Sequence, residues 1–348
     1  MKYKILSDPK KIYRSMLSDI RKARKKIILE TYIYDGGKIG KEFRDELEKK
    51  ALEGVKVKLL IDGWGSSVKK SFFKKLIEAG GEVKFFREIR YVLHFFNANQ
   101  ERNHRKLLII DSKISYLGSI NITSTCLSWE ELVLRIEGTI AKSFETSFRR
   151  TWKKFDSWDT HKVRRIIHKG IEIIQDLPSS ANRSTERNYK KLIRNAEEEI
   201  LIETPYFIPP MGIKKAIKKA LKRGVKIKLI IPKISDVGIL DVFRNRYLGR
   251  LSKKGVEIFY FPKILHSKLL IVDRDFFLLG SSNLDYRSFR HQYEINILVK
   301  NKDIVDSLRI YFYKNIKKSK AFNYNDWHNR NFLGKIVEII MKPFRKYL

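Results

Sequence analysis

Two histidines, His104 and His266, each open the same string: His, one residue, Lys, four residues, Asp, six residues, Gly-Ser, one residue, Asn. The first copy is His104, Lys106, Asp111, Gly118, Ser119 and Asn121, and the second is His266, Lys268, Asp273, Gly280, Ser281 and Asn283. Two copies in register imply that each half of the chain delivers a histidine, a lysine and an amide to one site. That set suits phosphoryl transfer. A neutral imidazole Nε2 attacks phosphorus while the other imidazole, protonated, donates to the leaving oxygen. The product is a phosphohistidine, which a second alcohol or water displaces with the second histidine acting as base. The residues alone leave open which histidine attacks. Lys106 and Lys268 hold the phosphate as point charges, and the Asn121 and Asn283 amides donate to its oxygens. A cage of cations and amides does the work that a metal does elsewhere, so neither a metal nor a cofactor is expected.

A nucleophilic imidazole needs its other nitrogen held by an acceptor. Glu131 lies 27 residues after His104 and Glu294 lies 28 after His266. Each glutamate is expected to orient the histidine of its own motif. Asp111 and Asp273 complete the motifs and are counted with the catalytic set, although at strand ends they would tie down loops rather than do chemistry. Ser119 and Ser281 either touch the phosphate or cap a turn. His94, His161, His168, His291 and His328 fit no ligand spacing and read as ordinary histidines.

The elements that must carry these groups also repeat. Residues 27–34 (IILETYIY) resemble 200–208 (ILIETPYFI), 54–62 (GVKVKLLID) resemble 224–232 (GVKIKLIIP), and 81–86 resemble 255–261. Each short Ile- and Val-rich run follows a lysine-rich amphipathic stretch, such as 40–53 or 211–223. Strand alternating with helix predicts a mixed sheet covered by helices. LLIID (107–111) and LLIVD (269–273) read as buried strands leaving the histidines, with His and Lys, two apart, on one side of a strand. The fold class is therefore α/β, with two pseudo-symmetric domains, each a mixed sheet flanked by helices. The expected boundaries are 1–160, 161–325 and a basic amphipathic tail over 326–348, with a turn-rich break around 158–184.

The halves differ before the motif histidine, where the first has 17 residues (87–103) and the second has four (262–265). The longer segment carries Tyr91, Phe95 and Phe96, and is either a lid or lipid-facing loop or an ordinary surface loop. In the tail, Phe332, Leu333, Ile336, Val337, Ile339, Ile340 and Phe344 form an apolar face beside Lys335, Lys342, Arg345 and Lys346. It either lies in a headgroup layer or docks on the protein's own core, and Pro343 should break it.

With 348 residues and 43% hydrophobic content the chain can build real cores. Lys and Arg outnumber Asp and Glu by 74 to 39, a net charge of +35 that calls for an anionic partner, lipid or nucleic acid. Cys126 is the one cysteine, so no internal disulfide and no cysteine-based zinc site can form, and a reducing compartment is expected. The sequence holds no run of 18 apolar residues and no signal-peptide core at its start, which predicts a protein in solution or on a membrane surface.

The doubled His-x-Lys-x4-Asp motif resembles the phospholipase D superfamily, over roughly residues 15–315. Within it the chain is similar to bacterial cardiolipin synthases, on the stretches YIYDGGKIG (32–40), GVKVKLLIDGWGS (54–66), NHRKLLIID (103–111), ETPYFIPP (203–210) and GSSNLDYRSFRHQYEIN (280–296). The resemblance implies two α/β domains meeting at one site, with His104 as nucleophile and His266 as acid and base. It implies that Tyr206, Tyr286 and Arg287 either line the lipid pocket or pack. It implies a phosphatidyltransferase that joins two phosphatidylglycerols into cardiolipin and glycerol, peripheral on the cytoplasmic face of a bacterial membrane. Phosphatidylglycerol and the membrane surface are the expected partners, with no obligate protein partner. A phospholipase D-type hydrolase and a nuclease of the same superfamily are the alternatives. Small nucleases of this type carry one motif per chain and dimerise, so two motifs in one chain count against nucleic acid. Three departures stand out. Cardiolipin synthases usually carry N-terminal membrane helices, absent here; many have Gly-Gly where this chain has Gly118-Ser119; and near Trp129 they often have Asp where this chain has Glu130-Glu131.

Overall fold

The computed structural model describes residues 2–88, 101–155, 165–178 and 183–340. The expectations for the aromatic insert over 89–100, for residues 158–164 and 179–182 of the break between halves and for the last eight residues lie outside the described residues. In the first half the strands are β1 (Lys2–Leu6), β2 (Lys26–Thr31), β3 (Lys56–Asp62), β4 (Glu82–Phe86), β5 (Arg102–Asn103), β6 (Leu107–Ile110), β7 (Ile114–Gly118) and β8 (Val133–Glu137). The second half has β9 (Ile166–His168), β10 (Ile171–Asp176), β11 (Glu199–Glu203), β12 (Lys226–Pro232), β13 (Glu257–Phe261), β14 (Leu269–Val272), β15 (Phe276–Gly280), β16 (Gln292–Lys300) and β17 (Lys320–Ala321). The helices are α1 (Pro9–Arg21), α2 (Lys38–Leu52), α3 (Lys74–Glu78), α4 (Ile140–Lys153), α5 (Ser184–Asn195), α6 (Met211–Lys222), α7 (Gly238–Ser252), α8 (Tyr286–Arg290), α9 (Lys302–Lys318), α10 (Tyr324–His328) and α11 (Phe332–Ile340).

The internal repeat becomes a repeated sheet. The first sheet runs β1-β8-β7-β6-β2-β3-β4 and the second runs β10-β16-β15-β14-β11-β12-β13, extended at its ends by β9 and β17. Three parallel strands, β2-β3-β4 or β11-β12-β13, continue into antiparallel hairpins in each case. Alternation along the strands sorts the side chains into two faces. Ile27, Leu29, Val57, Leu59 and Ile61 pack outward against Ile12, Met16 and Ile20 of α1 and Phe43 and Leu47 of α2. Ile28, Leu60, Leu107 and Ile109 face inward, where they join Leu269, Ile271, Ile295 and Ile297 of the second sheet. Phe144 and Phe148 of α4 and Leu308 and Phe312 of α9 belong to that same inner cluster. The halves thus share one core. Each large side chain in it stabilises the union by about 1.5–3 kcal/mol relative to exposure. The outer face of the second sheet is covered by α5, α6 and α7, where α6 buries Ile213, Ala216, Ile217 and Ala220 and turns its lysines outward.

Two short pairings cross between the halves and decide the site. β5 pairs in parallel with Gln292 and Tyr293 of β16, and Glu130 forms a parallel bridge with Leu265. Each half therefore lays the residues just before its motif histidine along the other half. This corrects the expectation that His and Lys sit on a strand: residues 104–106 and 266–268 precede β6 and β14 and belong to neither ladder. The run over 27–34 is also shorter than expected. It leaves the sheet after Thr31, because the Ile33 N–H bonds to the Asn121 side chain at 3.2 Å instead of to a neighbouring strand. Among the described residues no helix is long and apolar enough to cross a membrane. α11 packs on α7, with Glu338 buried and held by Arg330 at 2.7 and 3.0 Å, so the described part of the tail docks on the protein.

Candidate active site

His104 and His266 are both buried, and each is fixed through backbone and ring by the opposite half. The His104 N–H donates to Tyr293 O at 3.0 Å, and the His266 N–H donates to Glu130 O at 2.8 Å. The ring atom Nδ1 of His104 meets Glu294 Oε1 at 2.9 Å. Nδ1 of His266 meets Glu131 Oε1 and Oε2 at 3.0 and 3.1 Å. The two glutamates do hold the two histidines, but the pairing is crossed. This corrects the same-motif assignment, and the reason is the exchange of strand segments: His104 lies beside 292–294 and His266 beside 130–131. Nδ1 is occupied in both rings, so Nε2 is the nitrogen left for chemistry.

The serines complete this scaffold. Ser119 Oγ donates to Glu131 and accepts from the Leu132 N–H at 2.9 Å; Ser281 Oγ donates to Glu294 and accepts from the Ile295 N–H at 2.9 Å. They therefore aim the glutamates rather than touch a phosphate. The glycines before them permit the close passage of strands. A Cβ at Gly118 would stand 2.2 Å from Leu132 O, and one at Gly280 2.3 Å from Ile295 O.

The residue between His and Lys is pinned from below in each half. Arg105 Nε lies 3.3 Å from buried Glu30, which also accepts from Asn103 Nδ2 at 2.9 Å. Ser267 Oγ donates to buried Glu203, which Tyr311 and Asn315 also contact. Alternation then turns the flanking His and Lys to the other side. Lys106 Nζ donates to His104 O at 2.7 Å and Lys268 Nζ to His266 O. Asn121 Oδ1 is taken by Ile33, which leaves its –NH2 as the donor, and Asn283 Oδ1 is buried with no hydrogen-bond partner among the described residues.

Sequence reasoning passed over two rings that line the site. Tyr32 meets His104 edge-on at 5.1 Å between centroids, and Trp129 meets His266 in the same way at 5.1 Å. Tyr32 follows the end of β2 directly, and Trp129 stands two residues before a scaffold glutamate; those offsets were the available signal.

Asp111 and Asp273 are structural, which corrects their place in the catalytic set. The Asp111 carboxylate accepts from the N–H groups of Arg24, Lys25 and Lys26 at 2.8–2.9 Å, and Asp273 accepts from those of Glu197, Glu198 and Glu199 at 2.9–3.3 Å. Both sit in the left-handed region at φ +53°, which Asp tolerates better than most residues. They anchor the entry of β2 and β11 at the far ends of β6 and β14 from the histidines.

Burial sets the protonation of the site. It pushes Lys106 down to about 7, against the pull of Glu294, and Lys268 down to about 8, against Glu131. It holds His104 well below the ordinary imidazole value, helped by the charges of Lys106, Lys268 and His266. His266 is lowered by burial and Lys268, while Glu131 works the other way. Burial raises Glu294 to about 8. Burial also favours neutral Glu131, but His266, Lys268 and Ser119 together hold that carboxyl below its usual range. Near neutral pH burial thus favours a protonated Glu294 and uncharged rings at His104 and His266. In-line displacement at phosphorus requires one free imidazole and one proton.

Comparison with known proteins shows the family and the fold. The chain matches the family described as "Cardiolipin synthase, PLD-like domain" over residues 16–152 and 189–316. It is 32% identical to the major cardiolipin synthase ClsA of Bacillus subtilis, over 97% of this chain and 73% of that protein. It is also 32% identical to a cardiolipin synthase of Clostridium perfringens, over 96% of this chain and 74% of that protein. Among solved structures, the phosphatidylserine synthase of Haemophilus influenzae shares the fold at a TM-score of 0.79 and 15% identity, covering 99% of this chain and 95% of that one. A polyphosphate kinase of Porphyromonas gingivalis shares it at 0.64 and 13% identity, over all of this chain and 54% of that one.

Proposed function

The chain belongs to the phospholipase D-like cardiolipin synthase family, and we propose that it is a phosphatidyltransferase that joins two phosphatidylglycerols into cardiolipin and glycerol. The observation that carries this reading is the pair of crossed His–Glu contacts, which leaves two Nε2 atoms and two buried ammonium groups at one place.

The donor's phosphodiester enters between Lys106 and Lys268, and the amides of Asn121 and Asn283 donate to its oxygens. One Nε2 attacks phosphorus, the bond to the glycerol oxygen breaks, and the other imidazole delivers its proton to that oxygen. Free glycerol departs and a phosphatidyl-histidine remains. A hydroxyl of the second phosphatidylglycerol then loses its proton to the same imidazole and attacks phosphorus. The P–N bond breaks and cardiolipin leaves. Each half of the repeat, 1–160 and 161–325, supplies one histidine and the carboxylate for the other half's histidine. The resemblance gives the attack to His104, with His266 as the acid and base. The opposite order makes His104, held by Glu294, the acid and base.

The reaction takes place at a membrane surface, on the cytoplasmic face. The test is to incubate the protein with phosphatidylglycerol vesicles without divalent metal and to separate the lipids by mass spectrometry. Cardiolipin with free glycerol is the expected result. Phosphatidic acid alone makes the protein a hydrolase, and cleavage of nucleic acid without lipid turnover makes it a nuclease.

A further inference from the structure

The mouth of the site is rimmed by two loops that occupy equivalent places in the repeat. One follows β3 and the other follows β12, so Trp64 and Ile234 each stand two residues past the end of matched strands. Both side chains are exposed. Ile234 shows 69% of its surface, Trp64 and Val237 38% each, and Ile239, in the first turn of α7 that follows the second loop, 42%. Large apolar side chains gathered on exposed loops around a site mark a contact surface.

These loops are held rigidly in place. The N–H groups of Trp64 and Gly65 both donate to buried Asp62 at 2.9 Å. In the other loop the Ser235 N–H donates to Asp241 at 2.9 Å, its Oγ donates to Val237 O at 3.0 Å, and Arg244 donates to Pro232 O and Lys233 O at 2.7 and 2.8 Å. The apolar groups between these anchors are thus presented to solvent by design of the backbone.

Both loops reach the chemistry. Gly65 lies against the Tyr32 ring, which is edge-on to His104. Asp236 accepts from the Tyr206 hydroxyl at 2.6 Å, and its charge acts on His266, Lys268 and Tyr32. Positive charge sits among the apolar groups: Arg287 lies 5.5 Å from the Trp64 ring, and Lys69 and Lys233 are exposed in the same two loops.

We propose that this rim, with Trp64, Ile234, Val237 and Ile239 as its apolar points, is the surface by which the protein docks on an anionic phospholipid bilayer. The proposal rests on the phosphatidyltransferase reading above. A phosphodiester must reach buried histidines while its acyl chains stay in the bilayer, so the mouth has to face the membrane. Apolar groups at its edge enter the headgroup layer, and cations between them meet the lipid phosphates.

The test uses the full chain carrying Ile234→Ser with Ile239→Ser, a pair that removes apolar surface without changing charge. Ile234 is 69% and Ile239 42% exposed and neither belongs to a buried core cluster, so the fold is retained. Sedimentation with phosphatidylglycerol vesicles should show the partition coefficient falling about tenfold or more. Turnover of short-chain phosphatidylglycerol, dispersed as monomers, should be unchanged. A companion variant, Phe332→Ser with Ile340→Ser on α11, should leave the vesicle partition as in the wild type. Undiminished vesicle binding by the rim variant overturns the proposal, as does binding lost only in the α11 variant. An equal loss on vesicles and on monomers also overturns it, by assigning the rim to the site itself. A change of oligomeric state with vesicle binding intact gives the patch to a second copy of the chain. If the wild type turns over neither lipid form, the functional reading fails, and a partition that still drops in the rim variant upholds the docking surface by itself.

Discussion

Replacing Glu131 by glutamine should disable His266, although Glu131 lies in the same half of the chain as His104. The carboxylate stands 3.0 and 3.1 Å from His266 Nδ1 and is fully buried. Glutamine keeps the shape and an acceptor for the Nδ1 proton but loses the negative charge. A hydrogen bond to a charged group is worth about 1.5–3 kcal/mol and a neutral one about 0.5–1.5, a difference of about 1–2 kcal/mol, or roughly 5- to 30-fold in kcat at 1.36 kcal/mol per decade. Glu294→Gln should disturb His104, whose ring it holds at 2.9 Å, but by less at neutral pH, because burial keeps the Glu294 carboxyl largely protonated there. The assay is a rapid quench in alkali, which preserves phosphohistidine, followed by peptide mapping. The histidine that carries the phosphatidyl group is located first in the wild type. If it is His104, Glu131→Gln slows both the formation and the turnover of phosphatidyl-His104 through His266, whereas Glu294→Gln acts on the nucleophile and slows its formation. If it is His266, the two variants exchange behaviour. Either way, a glutamine variant that acts on the histidine of its own motif would falsify the crossed arrangement.

Asp111→Asn should leave kcat within about twofold and lower stability by roughly 1–3 kcal/mol, measured by urea unfolding, because Asp111 bonds three backbone N–H groups far from the chemistry. A hundredfold loss of kcat in a folded Asp111→Asn protein would return that residue to the catalytic set. kcat/KM should fall as pH rises through about 7 to 8: Lys106 at about 7 and Lys268 at about 8 shed their cationic charge, and Glu294 at about 8 releases its proton. On the acid side both imidazoles are held below the ordinary value, so the pH–rate profile should stay level down to below 6.5; a decline that begins above 6.5 contradicts this assignment. Gly118→Ala should abolish the soluble folded protein or cut Tm by many degrees, since its Cβ would press on Leu132 O at 2.2 Å; a normal melting curve would mean that β8 shifts freely.

Much of the molecule was legible from residue order. The duplicated apolar runs announced two equivalent mixed sheets, and β2-β3-β4 and β11-β12-β13 fall on the matched stretches. Short runs such as LLII, buried at every position, suit strands with both faces covered. The spacing of His, Lys and Asn pointed to a phosphate site. The shared inner core was not legible, because α4 and α9 carry ordinary amphipathic patterns that do not say whose sheet they cover. Nor was the departure of residues 104–106 from the ladder, because an extended segment looks the same whether it pairs with its own sheet or with another.

The sequence by itself determined which residues could do chemistry, that they came in two sets, and that each set had a glutamate at an offset of 27 or 28. The tertiary structure alone decided which glutamate serves which histidine. In a two-fold repeat the same offsets satisfy either pairing, within a half or between halves, so spacing is silent on the choice. The choice was made by the short pairings of β5 with β16 and of Glu130 with Leu265. They bring each histidine beside the opposite carboxylate, so neither half holds a complete site alone.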